Sequence, residues 1–460
     1  MSILIRGGEI VTDTTRFVAD IFCKGETITA IGVNLTAPEG TTVIDAKGKY
    51  IFPGFIDPHV HIYLPFMGAF AKDTYETGSR AALVGGTTTL IEMCCPSRAD
   101  DPLEAFDLWM SNAAGKSACD FSFHMGVTKF DSTTAAKLKQ IVDRGISSLK
   151  VFLAYKGAFG IDDTELYNTL KFAKSHGLIV TAHCENETLV SERCKELLAA
   201  GKTDPAQHHE SRPPLVEAEG VHHLMTFAEL TGAATYIVHL SCAESLHEAL
   251  RARARGVRVS IETLIQYLVL DKSHAELPNF EGAKFVMSPP LRDVKNQSVL
   301  WSGLASGDID TVATDHAPFD FAKQKSMGEH DFTKIPNGIP SLEERVNLLY
   351  SYGVVPGKIS LEQMVKTAST NVAKNFDLYP RKGAIAVGSD ADLVIFDPAY
   401  RGVISAKTQA MNVDYSAFEG WKIQGRPSVV TVRGEIAVRD GKFVGSQNRG
   451  QFLQRKPSHF

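Results

Sequence analysis

No run in the chain approaches the roughly 18–20 consecutive apolar residues that a membrane-spanning helix needs. Nothing in "MSILIRGGEIVTD" pairs a charged segment with a following apolar one, so no signal peptide is expected. Basic residues are in no excess: 48 Lys and Arg stand against 53 Asp and Glu, a formal net charge of −5. That balance gives no electrostatic footprint for nucleic acid or an anionic membrane surface. Cysteine is scarce. Seven are scattered without a CxxC or zinc-finger spacing, which fits reduced thiols in the cytoplasm and not a disulfide framework. No GxGxxG follows an early strand and there is no GxSxG elbow. The one Gly-Lys-Ser, at 115–117, has Met110 where a phosphate loop needs glycine. A dinucleotide-binding sheet, a serine hydrolase and a P-loop enzyme are thereby set aside.

What is present is an ordinary globular composition, 44% hydrophobic and 22% charged over 460 residues. Short strands with frequent turn signals fill the first fifty residues and return late, in "GAIAVGSDADLVIFD" and "SVVTVRGEIAVRDGKFVG". Between them strands alternate with helical stretches such as "TELYNTLKFAKSHG". Eight candidate strands fall at 50–61, 87–93, 120–127, 148–153, 178–184, 235–241, 257–263 and 309–317. The expected fold is α/β: a (β/α)₈ barrel over 53–382 with a smaller β-sandwich built from both chain ends, 1–52 and 383–445. Residues 446–460 read as a tail that is mobile unless something holds it.

In a barrel enzyme the chemistry sits at the C-terminal ends of the strands. Histidines recur there: His59 and His61 on the first strand, His183 on the fifth, His239 on the sixth, with Asp315 ending the eighth. The i, i+2 spacing of His59 and His61 points both rings to one side of a strand, where one ion takes both. One buried histidine is ordinary core. Four with an aspartate, all at strand ends, read as a metal site. Lys150 interrupts "SLKVFL", a run suited to a strand buried on both faces. Burial lowers a lysine's pKa, and a neutral amine can take up carbon dioxide as a carbamate whose two oxygens bridge two divalent ions. The paired histidines at 208–209 and 222–223 lie outside strand ends and read as helix or loop surface. Ser341 and Glu344 have capping-box spacing for a helix after Asn337.

The stretches "GFIDPHVH", "SLKVFLAYKG", "VTAHCEN", "VHLS", "MSPPLRD", "TDHAPF" and "PNGIPSLEERVNLL" together resemble the D-hydantoinase and dihydropyrimidinase family of the amidohydrolase superfamily. The likeness continues through "RKGAIAVGSDADLVIFDP" and "FEGWKIQGRPSVVTVRG". It implies two zinc ions, a site whose histidines would also suit manganese or cobalt. By position, His59, His61, carboxylated Lys150 and Asp315 would hold one ion, and carboxylated Lys150, His183 and His239 the other. Asp315 would carry the proton and Tyr155 would meet the oxyanion. Backbone groups of Ser288 and Asn337 would hold the substrate ring. Leu64, with neighbouring Phe66, and Phe152 and Phe159 would form an apolar pocket favouring D-configured 5-substituted rings. Where relatives often carry an acidic residue just after the HxH, this chain has Ile62-Tyr63.

The implied substrate is a small cyclic ureide and the implied assembly a homo-oligomer, a tetramer, in the cytoplasm. The alternatives are dihydropyrimidine breakdown as the main role, then allantoinase or dihydroorotase; the last usually has arginine where Ile62 stands. The non-enzyme alternative is a binding protein of the collapsin response mediator type. Members of that group have lost metal ligands, and here all six are present.

Overall fold

The computed structural model describes residues 2–460. Eight parallel strands form the expected barrel: Phe55–Val60, Thr87–Cys94, Asp120–Gly126, Ser148–Phe152, Ile179–His183, Ala234–Ile237, Val259–Leu264 and Thr311–Ala313, paired in sequence order. Val60 and His316 close the ring, where the His61 N–H donates to the His316 carbonyl at 2.8 Å. Alternation along each strand decides what faces where. Leu149 and Val151 face the helical layer, in one core with Val180, Ala182 and Ile237. Phe152, Ile179 and Tyr236 belong to a second core inside the barrel. Lys150, in register with Phe152, therefore projects into the barrel.

Local chemistry sets the surrounding helices. Asp162 and Glu165 form a reciprocal capping box for Asp163–Ser175, and Asp101 caps Pro102–Ala113 with proline in the first turn. Pro214–Thr231 ends on Gly232 at φ 67°, a left-handed position that glycine adopts without Cβ strain.

The candidate first strand, 50–61, proves to be two. Tyr50–Pro53 pairs antiparallel with Leu393–Val403 in an outer nine-stranded sheet, and the barrel strand starts at Phe55. The chain crosses between sheets at Gly54, where a Cβ would collide with the Thr88 hydroxyl. Both ends of the chain contribute to the outer sheet, and Ser2–Val11 is its branch point. Ile3–Arg6 pair with Thr42–Asp45, whereas Glu9 and Ile10 pair with Tyr50 and Ile51. Ile3, Ile10, Ile21, Ile44, Ile51, Leu393 and Ile395 make the small core of this unit. The alternate residues Phe52, Val394 and Phe396 join the barrel's core, so the two units share a packed boundary.

One further expectation is corrected. Ser341 caps no helix: its N–H donates to His316 Nδ1 at 3.2 Å, and the helix Arg345–Leu349 starts later without a side-chain cap. The tail is held. It runs along the N-terminal rim of the barrel, where Phe121 N–H donates to Gln451 O, Arg455 N–H to Gly145 O and His459 N–H to Gly177 O. Leu453 and Arg455 are buried, and Arg455 donates to the Ser122 hydroxyl at 2.9 Å. No described helix is long and apolar enough to cross a membrane.

Candidate active site

A cleft opens at the C-terminal end of the barrel. His59, His61, Lys150, His183, His239 and Asp315 all line it, as do Tyr155, Ser288 and Asn337 and the apolar Leu64, Phe66, Phe152 and Phe159. The residues singled out in the sequence are thus brought together in one place. The sixth and eighth strands stop earlier than expected, at Ile237 and Ala313, so His239 and Asp315 stand two residues beyond them. Both have left-handed backbones, φ 43° and 48°, and so does Tyr155 at 63°. Such conformations cost about 1–3 kcal/mol each in non-glycine residues and persist where surrounding structure enforces them.

Two groups of nitrogen and oxygen atoms converge in the cleft. Asp315 Oδ1 lies 3.1 Å from His59 Nε2 and 3.0 Å from His61 Nε2. Opposite, His183 Nδ1 and His239 Nε2 stand 3.0 Å apart. Two ligands on one tetrahedral zinc ion, with Zn–N bonds of about 2.0–2.1 Å, lie about 3.3–3.4 Å apart, so both groups are close to metal-ligand spacing. Lys150 Nζ is buried with no hydrogen-bond partner, 4.7 Å from the centre of the Phe152 ring. His61 Nδ1 is also unpartnered. An orphaned amine between two convergent ligand sets fits a group that binds both. A second acidic cluster, Asp120, Asp390 and Asp392, does not fit a metal: Lys382 Nζ lies 2.6–3.0 Å from all three, and Arg433 also pairs with Asp120.

The electrostatics follow from burial. Desolvation pushes the Lys150 amine down toward its neutral form. Burial alone would lower His59 too, but the Asp315 and Glu262 carboxylates outweigh it and hold the imidazole up at about 9. His61, His183 and His239 are lowered, with burial the largest cause. Burial works against ionisation of Asp315, yet His59 and His61 hold its carboxyl well below the usual range. Burial raises the Tyr155 hydroxyl, so it stays protonated and able to donate.

Several supporting residues escaped the sequence reading. Glu262 Oε1 accepts from His59 Nδ1 at 2.8 Å and from the His239 N–H at 3.0 Å, and Oε2 accepts from the Tyr236 hydroxyl at 2.8 Å. One carboxylate therefore orients ligands of both sets. Glu185 accepts from His183 Nε2 at 2.9 Å and from Arg212 at 2.6 Å. His208, expected at the surface, is buried behind the site, its Nε2 2.8 Å from the Met287 carbonyl and 3.2 Å from the Ser288 hydroxyl. His222 is exposed, as expected. Glu262 carried a visible signal: like Lys150, it is an ionisable residue inside a buried strand.

A model of the amidohydrolase family matches residues 50–437. The chain is 46% identical over 456 residues to D-hydantoinase of Geobacillus stearothermophilus, covering 99% of this chain and 97% of that one. It is 38% identical over 459 residues to dihydropyrimidinase of Dictyostelium discoideum, covering 99% and 91%. Among solved structures, a D-hydantoinase (dihydropyrimidinase) from Thermus sp. superposes with a TM-score of 0.98 at 60% identity, each chain covered in full. The chain belongs to the amidohydrolase family. Within it, the relatives it resembles include D-hydantoinases and dihydropyrimidinases.

Proposed function

We propose that the chain is a metal-dependent hydrolase of cyclic amides. It opens 5-substituted hydantoins, with preference for the D-enantiomer, to N-carbamoyl amino acids, and dihydropyrimidines to N-carbamoyl-β-amino acids. The observation that carries this reading is the cleft itself. Six side chains able to bind metal and a protonated tyrosine face an apolar wall across a space suited to a small ring.

His59, His61, Asp315 and carboxylated Lys150 would hold one zinc ion, and the same carbamate with His183 and His239 the other. A neutral Lys150 amine adds to carbon dioxide, forming the N–C bond and releasing a proton, and the resulting anion would satisfy the orphaned nitrogen. The metals, when bound, supply Lewis acidity and make a water nucleophilic near neutral pH. Asp315 takes the proton from the attacking water and delivers it to the departing ring nitrogen. The Tyr155 hydroxyl donates to the oxygen on which charge develops. Backbone groups at Ser288 and Asn337 hold the ring, supported by the 3.0 Å hydrogen bond from Asn337 Nδ2 to the Ser288 hydroxyl. The ring's 5-substituent lies against Leu64, Phe152 and Phe159. Phe66 extends that wall, its ring centre 5.9 Å from that of Phe159 and 5.6 Å from that of Tyr155. The reading takes 53–382 as the catalytic unit and the protein as a cytoplasmic homotetramer, which light scattering checks.

The deciding experiment is ring-opening kinetics on the separate D and L enantiomers of one 5-substituted hydantoin, with dihydrouracil alongside, on zinc-loaded protein. Preference for the D-hydantoin supports the reading. Preference for dihydrouracil keeps the chemistry and moves the main role to pyrimidine breakdown. No turnover of any of them by zinc-loaded protein refutes the substrate class.

A further inference from the structure

Lys325 is fully buried in a short turn, Lys325–Gly328, and makes no ion pair among the described residues. A buried ammonium without a carboxylate is costly, so its surroundings need a reason. Its Nζ donates to two carbonyls only, Val286 O and Pro336 O, each at 3.0 Å. Those carbonyls sit two residues before Ser288 and directly before Asn337. Two more hydrogen bonds join the same pair of loops: the Gly338 N–H donates to Val286 O at 2.9 Å, and Asn337 Nδ2 donates to the Ser288 hydroxyl. Beneath them Val286 and Ile335 pack together in a small apolar cluster with Ala283 and Phe332. Ser288, Asn337 and Gly338 face the cleft, whereas Lys325 does not line it.

We propose that Lys325 is a positioning residue for the substrate ring, its Nζ clamping together the two loops whose backbones bind that ring. The inference rests on the function proposed above and adds to it a group that sets ring affinity without touching the ring. Burial pushes the amine down to about 7. A neutral amine still has two N–H donors for two carbonyls, so the clamp persists in either protonation state.

The test uses metal-loaded full-length protein and two variants. Lys325→Met keeps the length of the side chain and removes every donor. Lys325→Gln restores two N–H donors on a shorter stem. For a D-5-substituted hydantoin, Lys325→Met is expected to raise KM about tenfold while kcat falls less than about threefold and metal content is unchanged. Lys325→Gln is expected to recover part of the rise. Hydrogen exchange should quicken in segments 286–292 and 335–340 of Lys325→Met and stay as in the wild type at the metal-ligand strands. A folded Lys325→Met protein with wild-type KM and exchange overturns the clamp. So does a parallel fall in kcat and metal content, which would place Lys325 in the general support of the fold. If the methionine variant does not fold, Lys325→Gln decides: faster exchange in the two loop segments with unchanged KM overturns the proposal, and a rise in KM together with faster exchange supports it. Wild-type protein that opens no cyclic ureide would defeat the functional reading alone, since the exchange result still decides the clamp.

Discussion

Glu262→Gln isolates the charge of a side chain that hydrogen-bonds to both ligand groups. The amide is nearly the same shape as the carboxylate. Its oxygen can still accept from His59 Nδ1 and the His239 N–H, and its NH₂ can donate to the Tyr236 oxygen. Tyr236 can then donate to the Thr311 hydroxyl, 2.5 Å away. The hydrogen-bond geometry survives while the negative charge behind His59 is lost. Residues that orient metal ligands in this way are typically worth about 10–100-fold in metal affinity or activity, which is about 1.4–2.7 kcal/mol. Titration of the apo protein with zinc against a competing chelator should therefore show affinity down by that factor, with little change in the unfolding temperature of the apo protein. Glu262→Leu should behave differently. It strands the donors on His59 and His239 in a fully buried site, at about 1–3 kcal/mol each, so the apo protein itself should be clearly destabilised. Wild-type zinc affinity and turnover in Glu262→Gln would refute the orienting role.

Asp315→Asn should lower kcat by about 10²–10⁴-fold with metal still bound, and substantial residual activity would remove Asp315 as the proton carrier. Lys150→Arg keeps a positive charge but cannot form the carbamate, so it should bind fewer than two metal equivalents by elemental analysis; full binuclear loading would contradict the bridging role. In chelator-treated protein, burial holds His61, His124, His183, His208 and His239 below their usual pKa, His208 at about 3. These groups stabilise the fold above about pH 6.5, and that stability is lost as pH falls and the unfolded chain takes up protons, by up to about 1.4 kcal/mol per group per pH unit. His59, raised to about 9, runs the other way: its contribution is present below about 6.5 and lost as pH rises through 9. Between about pH 5 and pH 7.5 the five are opposed by His59 and by the Glu92, Glu343 and Glu344 carboxyls, which burial raises, so the histidines are read singly: NMR of chelator-treated protein should show the His208 ring still neutral at about pH 5, and a protonated ring there would contradict the assignment. Deleting residues 446–460 should cost about 1.5–3 kcal/mol from Leu453 alone, seen as a lower urea midpoint. Turnover should be unaffected, because that segment lies on the face opposite the cleft.

Much of this was legible in the sequence because strand-end histidines and a lysine in an apolar strand violate local expectation, and violations concentrate where there is chemistry. The eight barrel strands were found by their apolar runs, and the two-ended outer sheet by its turn signals. What escaped had weak local signals. Gly54 divides one apolar run between two sheets for a steric reason that lies in Thr88, far along the chain. Ser341 has the spacing of a cap, yet it is drawn instead to His316. His208 belongs to a short polar helix, and its burial comes from the Met287–Ser288 loop arriving from elsewhere. Nothing near residue 446 shows that Leu453 and Arg455 will find buried places along the barrel's lower rim. Each miss is a contact between residues distant in sequence that overrides a local preference.

The outer sheet and the rim-bound tail also bear on how the molecule is made. Ser2–Val11 pairs with Tyr50–Pro53, which in turn pairs with Leu393–Val403, and residues 451–460 finish the floor beneath strands formed some three hundred residues earlier. Contacts of such long sequence separation are slow to form. The nascent chain must therefore carry a barrel open at its base, with apolar surface around Phe121 uncovered, until residues translated after the entire barrel arrive to seal it. Holding that intermediate soluble is a demand the sequence places on the cell once the eighth strand is complete.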